Sequence, residues 1–315
     1  MQSIPRRTVG LMAMRLMIAL LWCLHLLPAR CVDVLATLLA PLLVRLSAAR
    51  TARINLRLCF PDLDATAHRQ AEIAYCRAVL RSLLELGTVW FAPNATLRRR
   101  VMLEGTEHLD ACGSQPVILL AMHTVGLEMA GARLAMEYRG VGFFTPHKNA
   151  FLDGIIRRAR DRRGDIRMLD RREGLRPMVR AIRDGRYLYF LPDQDFGDRD
   201  AIFVPFFGIA AATVTTLPRL VRLTGARVVP VEVWQTPLGG YRIRFLPAWN
   251  DFPSDDLSAD VRRMNVFVEQ FVRDHPDQYF WGHKRFRTRP DPAEPSPYDH
   301  NKVFETAQSA LTRVE

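Results

Sequence analysis

Apolar residues recur along this chain with two periods, and the alternation between them predicts the architecture. The run PVILLAM (116–122) is short and continuously apolar, the pattern of a strand buried on both faces. Behind it LEMAGARLAMEY (127–138) spaces its apolar residues helically, with Thr124 as a candidate N-cap. VGFF (141–144), IRML (166–169), YLYFL (187–191), RVVPVEV (227–233) and YRIRFL (241–246) predict further strands, and AIFVPFF (201–207) an irregular one. Helical spacing covers 150–163, 173–184, 215–224 and 259–275, and also 65–90 until Pro93 and Asn94 interrupt it. Strands alternating with helices predict an α/β fold: a mostly parallel central sheet flanked by helices on both faces.

The first fifty residues differ in kind. VGLMAMRLMIALLWCLHLL (9–27) is broken only by Arg15 and His25, and a second apolar stretch runs from Val32 to Leu46. Nineteen helical residues reach about 28 Å, marginal for a hydrocarbon core, and an interior Arg is costly there. The expectation is an N-terminal hydrophobic helical membrane anchor, as a single span or lying in the interface. A pair of buried helices is the alternative. Arg6, Arg7, Arg30, Arg45, Arg50 and Arg53 flank the segment on both sides, which favours the interfacial arrangement. No A-x-A site marks a secretory signal peptide. The expected division is an anchoring segment over 1–50, a catalytic domain over 51–298 and a tail over 299–315.

Charge narrows the partners. Forty-four Lys and Arg against 33 Asp and Glu give a formal net charge of +11, which favours anionic ligands and membrane surfaces. A nucleic-acid role is disfavoured, since the basic stretches lack interleaved aromatics and recognition motifs. The five cysteines form no C-x-x-C pair and no zinc spacing, so no metal is expected.

The candidate chemistry begins at His123, with Glu128 five positions on. On one continuous helix those side chains would sit about 140° apart, so convergence requires His123 to end a strand and Glu128 to open a helix. Such a pair suits proton removal from an attacking alcohol: a neutral imidazole takes the proton and a carboxylate on its other nitrogen fixes the tautomer. In TPHKNAFLDGIIRRARDRRG (145–164), Arg157, Arg160 and Arg163 recur every third residue, a face able to grip phosphate. LPDQDFG sets Asp193, Gln194 and Asp195 just past a strand's carboxyl end, where α/β sheets hold ligand loops. No His or Cys accompanies these acids, so orientation and hydrogen bonding fit better than a metal. FVPFFG with AAATVTT suits either the wall of an acyl-chain groove or ordinary core.

Taken together, NLRLCFPDL (55–63), AMHTVGLEMAG, the PHKN segment, LPDQDFG, VPFFG, GARVVPV and QYFWGHKRFRTRP resemble the late acyltransferases of lipid A biosynthesis, within the glycerolipid acyltransferase superfamily. The resemblance runs from the hydrophobic N-terminus to about Tyr298. It implies His123 as general base with Glu128 as its partner. Lys148, Asn149, Arg160, Asp193 and Gln194 are implied as substrate-cleft residues. It implies acyl carrier protein as donor, a phosphorylated lipid A precursor as acceptor, no cofactor, and a place at the bacterial inner membrane facing the cytoplasm. Phe144 and Thr145 stand where many such enzymes have an aromatic followed by Arg, and Ala159 where Gly is common, departures that bear on the acceptor. The alternatives are an acyltransferase for another lipid acceptor and a non-catalytic basic membrane adaptor.

Overall fold

The computed structural model describes residues 6–46, 49–144, 149–170 and 174–299, without the side chains of 6–10, 143–144 and 170. Lys148, expected in the substrate cleft, lies outside the described residues.

Seven strands form the central sheet: β1 (Val101–Glu104), β2 (Val117–Leu120), β3 (Gly140–Phe144), β4 (Ile166–Asp170), β5 (Tyr187–Phe190), β8 (Arg227–Gln235) and β9 (Tyr241–Phe245), in the order β1-β9-β8-β2-β5-β3-β4. Every neighbouring pair is parallel except β8 with β9. Parallel strands need cover on both faces, and β2 shows how its sequence supplies it. Val117, Leu119 and Ala121 point into one apolar core, and Ile118, Leu120 and Met122 into the other. Period two thus assigns His123, the next odd residue, to the face of Leu119 and Ala121.

On that face lie α8 (Leu127–Ala135), α9 (Ala150–Asp161) and α5 (Leu86–Phe91). The opposite core is closed by α3 (Arg50–Cys59), α4 (Ala65–Leu84), α10 (Arg176–Arg183), α11 (Thr216–Thr224) and α12 (Leu257–Asp274). Two short helices, α6 (Asn94–Arg100) and α7 (Glu107–Asp110), flank β1. The helical spacing over 65–90 is interrupted at Glu85, whose buried carboxylate takes hydrogen bonds from Arg81, Arg100 and Tyr241. Residues 201–207 are regular: β6 (Ala201–Phe206) and β7 (Ile209–Val214) form an antiparallel hairpin turned at Phe207 and Gly208, both at positive φ.

Of the two N-terminal arrangements expected, the structure bears on the single span. The apolar segment forms α1 (Arg6–Leu24) and α2 (Ala29–Leu43), each laid on the domain along one side. Ile18, Leu21 and Leu24 bury against α5 so closely that a Cβ on Gly87 would stand 1.9 Å from the Leu21 carbonyl oxygen. Val32, Ala36 and Ala40 bury the inner side of α2, which packs on α4. Among the described residues no helix is long and apolar enough to cross a membrane. Arg15 and His25 break the first stretch, the Pro28 turn ends it, and packing on the domain consumes part of its apolar surface. The outward sides nevertheless stay apolar, at Leu16, Leu20, Leu38 and Leu42.

Candidate active site

Strand register builds the centre. β2 and β5 are parallel neighbours with Leu120 opposite Phe190, so three residues further along each chain His123 and Asp193 emerge at the same level. The Asp193 side chain is 1% exposed. Its Oδ1 pairs with His123 Nδ1 at 2.8 Å, and its Oδ2 accepts the His123 amide at 2.9 Å. Burial alone would raise the Asp193 carboxyl, but the charge of His123 and the hydrogen bonds from its ring and amide hold it well below the usual carboxylate range. An ionised carboxylate only accepts, so Nδ1 carries the proton of the neutral ring and the basic lone pair sits on Nε2.

The closing segment of the domain braces this pair from behind. Val125 N donates to Gln278 O at 2.9 Å and Phe280 N to His123 O at 2.8 Å, a bridge between Thr124 and Tyr279. Asn55, fully buried, donates to the carbonyls of Trp281 (2.8 Å) and His283 (2.9 Å) and so fixes the turn that follows. Tyr279 Oη lies 3.1 Å from His283 Nε2, and the His283 ring centroid is 6.1 Å from that of His123.

Burial pulls His283 down to about 4; Asp193 opposes the shift, while His123 and Arg285 add to it. Protonation at His283 therefore favours the unfolded chain, and stability rises with pH across the window between the two values. From about pH 6.5 down to 4 the fold is expected to lose on the order of 3 kcal/mol at this residue. Denaturation midpoints in a pH series check this, with His283→Gln expected to flatten the slope.

His123 opens onto a cavity of ~730 Å³ that runs down the sheet under α8 and α9. Its walls are mostly apolar, including Trp90, Leu119, Leu134 and Ile156, and its floor lies near Tyr138 and Tyr187. From Asp193 back to Tyr187 the chain runs six residues, through the loop after β5 and then β5 itself, at most about 20 Å if fully extended. Gly131 faces this space from α8, and a Cβ there would meet nothing within 4 Å. The cavity is therefore a long apolar slot with a base at its mouth, suited to a fatty chain whose reactive end lies beside the imidazole.

The sequence-predicted residues do not all converge here. Glu128, in the first turn of α8, lines the cavity with His123, but the carboxylate on the ring is Asp193. The strand-to-helix turn expected at His123–Glu128 is present. Parallel register, however, brings β5's loop against the ring, and Thr124 is not the cap: α8 is preceded by Gly126 with no side-chain cap bond. Asn149 caps α9, accepting from the Phe151 and Leu152 amides, and is not among the cavity-lining residues. Gln194 also lies off the cavity lining. Asp195 ties the loop to the closing segment through Thr288 N (2.7 Å) and Oγ1 (2.8 Å).

The arginine face also divides, because steps of three fall 60° short of a turn each time. Arg157 pairs with Asp153 at 2.7 Å. Arg163 is buried, donating to Asn94 Oδ1 and to the Thr88 and Val89 carbonyls. Arg160 alone of the three both lines the cavity and makes no side-chain hydrogen bond or ion pair among the described residues. No cluster of three or more potential metal ligands occurs among the described residues. Sequence reasoning did not find Tyr279 and His283. The signal available was the polar pair inside the aromatic run QYFWGH.

The profile of the family described as bacterial lipid A biosynthesis acyltransferase matches residues 3–288. A lipid A biosynthesis lauroyltransferase of Escherichia coli (strain K12) is 32% identical over 302 residues, covering 92% of this chain and 98% of the relative. A lipid A biosynthesis myristoyltransferase of the same organism is 30% identical, covering 82% and 80%. The solved 1-acyl-sn-glycerophosphate acyltransferase PlsC of Thermotoga maritima is 14% identical with a TM-score of 0.38, covering 78% of this chain and 98% of that one, too loose an overlap to bear on function.

Proposed function

The chain belongs to the bacterial lipid A biosynthesis acyltransferase family, and from that premise we propose that it transfers a fatty acyl group from an acyl carrier protein thioester to a hydroxyl of a lipid A precursor. The observation that carries the reading is His123, hydrogen-bonded through Nδ1 to buried Asp193, at the mouth of a ~730 Å³ apolar slot.

The donor's chain lies in the slot with its thioester carbonyl beside His123. Nε2 takes the proton of the acceptor hydroxyl as its oxygen attacks the carbonyl carbon, and Asp193 stabilises the imidazolium that forms. Collapse of the tetrahedral adduct breaks the carbon–sulfur bond. The imidazolium returns its proton to the departing thiolate, leaving an ester, a free thiol and a neutral ring. This route uses side chains alone. Arg160, whose guanidinium lines the same cavity and makes no side-chain hydrogen bond or ion pair among the described residues, is assigned to the oxyanion. Glu128, exposed at the same mouth, is assigned to the acceptor's polar groups.

A basic chain suits an acidic carrier protein and a phosphorylated acceptor, and apolar outward sides on α1 and α2 suit a protein lying in the cytoplasmic face of the inner membrane. Lipid A from cells with and without the gene tests the acceptor. The expected spectrum gains one acyl group only when the gene is present, and identical spectra would exclude lipid A.

Chain length follows from the slot. Gly131→Leu fills open space and is expected to shift preference to donors shorter by roughly three to four methylenes, about the volume the side chain adds. Competition between donors of graded length reads the shift.

A further inference from the structure

The cavity beside His123 reaches further than the slot that runs down the sheet under α8 and α9. Five successive residues, Tyr187 to Leu191, line it. Successive side chains of a strand point to opposite faces, so a cavity confined to the His123 face would meet only every second one. Leu175, the residue that opens α10, and Thr216, the first residue of α11, also line it. These helices cover the face opposite His123, and Leu175 and Phe190 pack on the core of that face. The cavity therefore has two limbs, a near one on the face of His123 and a far one across the sheet.

The crossing lies where two strands part. β3 is paired with β5 at Gly140–Tyr187 and Val141–Leu188, where that ladder ends, and with β4 as far as Phe144–Asp170. Beyond Leu188, β5 thus has a free edge toward β3. β3 carries glycine at 140 and 142, both on the cavity lining, so it sends no side chain into the gap from the His123 face. At Gly142 a Cβ would come no closer than 3.9 Å to Met168.

The far limb has apolar walls of its own. Leu175, Phe190 and Val214 line it and are half-buried, with Phe196, 45% exposed, at the rim. Such walls match an alkyl chain, whereas a phosphate taken between them would lose its water without compensation. Volume agrees. A methylene takes about the room of a liquid water, ~30 Å³, so a chain of twelve carbons fills roughly 360 Å³, about half of the ~730 Å³ present. Both limbs belong to the one cavity that His123 lines, so two chains held there would bring a carbonyl and a hydroxyl to the same imidazole.

We propose that the far limb, between Leu175, Phe190 and Val214, holds an acyl chain of the acceptor, so that donor and acceptor chains lie on opposite faces of the sheet and meet at His123. The identity of the occupant rests on the acyl-transfer reading; the presence of a second chain site does not.

Calorimetric titration of the full chain with 1-decanol, which carries an alkyl chain and cannot donate an acyl group, tests this without turnover. Two molecules are expected to bind per wild-type protein. Gly131→Trp, which fills the near limb, is expected to lose one of them, and Leu175→Trp the other. Val214→Phe, on a separate element, is expected to weaken the same site as Leu175→Trp, so a folding defect in one variant does not decide the result. The lipid A precursor is then expected to displace the decanol that remains in Gly131→Trp and not the one that remains in Leu175→Trp. Because no ester forms in this titration, failure of the acyl-transfer reading would show separately, in the product assay. A single decanol on the wild type, or loss of the same one in Gly131→Trp and Leu175→Trp, overturns the second site. Displacement of the near-limb decanol, or of neither, overturns the acceptor chain as its occupant.

Discussion

His123→Ala is expected to lower acyl transfer by at least about 10³-fold while leaving the fold intact, because it removes the imidazole assigned to take the acceptor proton at the mouth of the slot. The side chain is 20% exposed and lies in neither core, but its loss leaves the buried Asp193 carboxylate without the imidazole, so the melting temperature should fall as well. His123→Gln, which can keep a donor near that carboxylate, separates the rate loss from the stability loss. The loss should appear in kcat more than in KM, since the slot that holds the chain is untouched. A rate comparison of purified wild type and variant on one donor and one acceptor checks this. Transfer within tenfold of wild type would remove His123 from the chemistry.

Asp193→Asn is expected to cost about 10³ to 10⁴ in kcat with nearly unchanged shape. The carboxylate only accepts a hydrogen bond and so fixes the proton on Nδ1. An amide can turn its NH₂ toward Nδ1, which moves the ring proton to Nε2 and blocks the base. The pH profile separates this from a loss of packing. The Asp193 charge favours the protonated ring, so its removal makes His123 less basic, and the acid limb of the rate profile moves to lower pH. Glu128→Gln, which alters the exposed carboxylate, is expected to lower the rate without moving that limb. A shift of the limb in Glu128→Gln and none in Asp193→Asn would make Glu128 the partner of the ring.

The Asp193 carboxyl also ties catalysis to stability. Its folded value is depressed, so the stabilisation it supplies is present above the ordinary carboxylate range and is lost as pH falls through it. His283 acts in the same direction at a higher pH, since its folded value near 4 lies below the ordinary histidine range. Acid therefore weakens the site twice, first through the brace behind the ring and then through the carboxylate on it.

The strands around the centre are legible in the sequence because each is a short apolar run that the covered sheet requires, as in PVILLAM and YLYFL. The loop DQD is legible as chemistry for the same reason, since it follows such a run. Which carboxylate reaches the ring is not legible. His123 and Asp193 are 70 residues apart, and only the pairing of β2 with β5 in one register brings them level. Glu128, five residues away, is the choice that local spacing offers. β7 escapes because its alanines carry little strand preference, and pairing with β6 supplies what local sequence lacks. The N-terminal segment reads as an anchor from composition, whereas its small and branched residues Ala36, Ala40, Ile18 and Leu21 are spent on packing against the domain.

The most direct measurement is the mass of a lipid A precursor after incubation of the purified protein with an acyl carrier protein thioester. One acyl group added per precursor, with an equal amount of free thiol released, is the predicted result. An unchanged precursor beside intact thioester, from protein whose fold is verified, would contradict the assignment of His123 and Asp193 to acyl transfer.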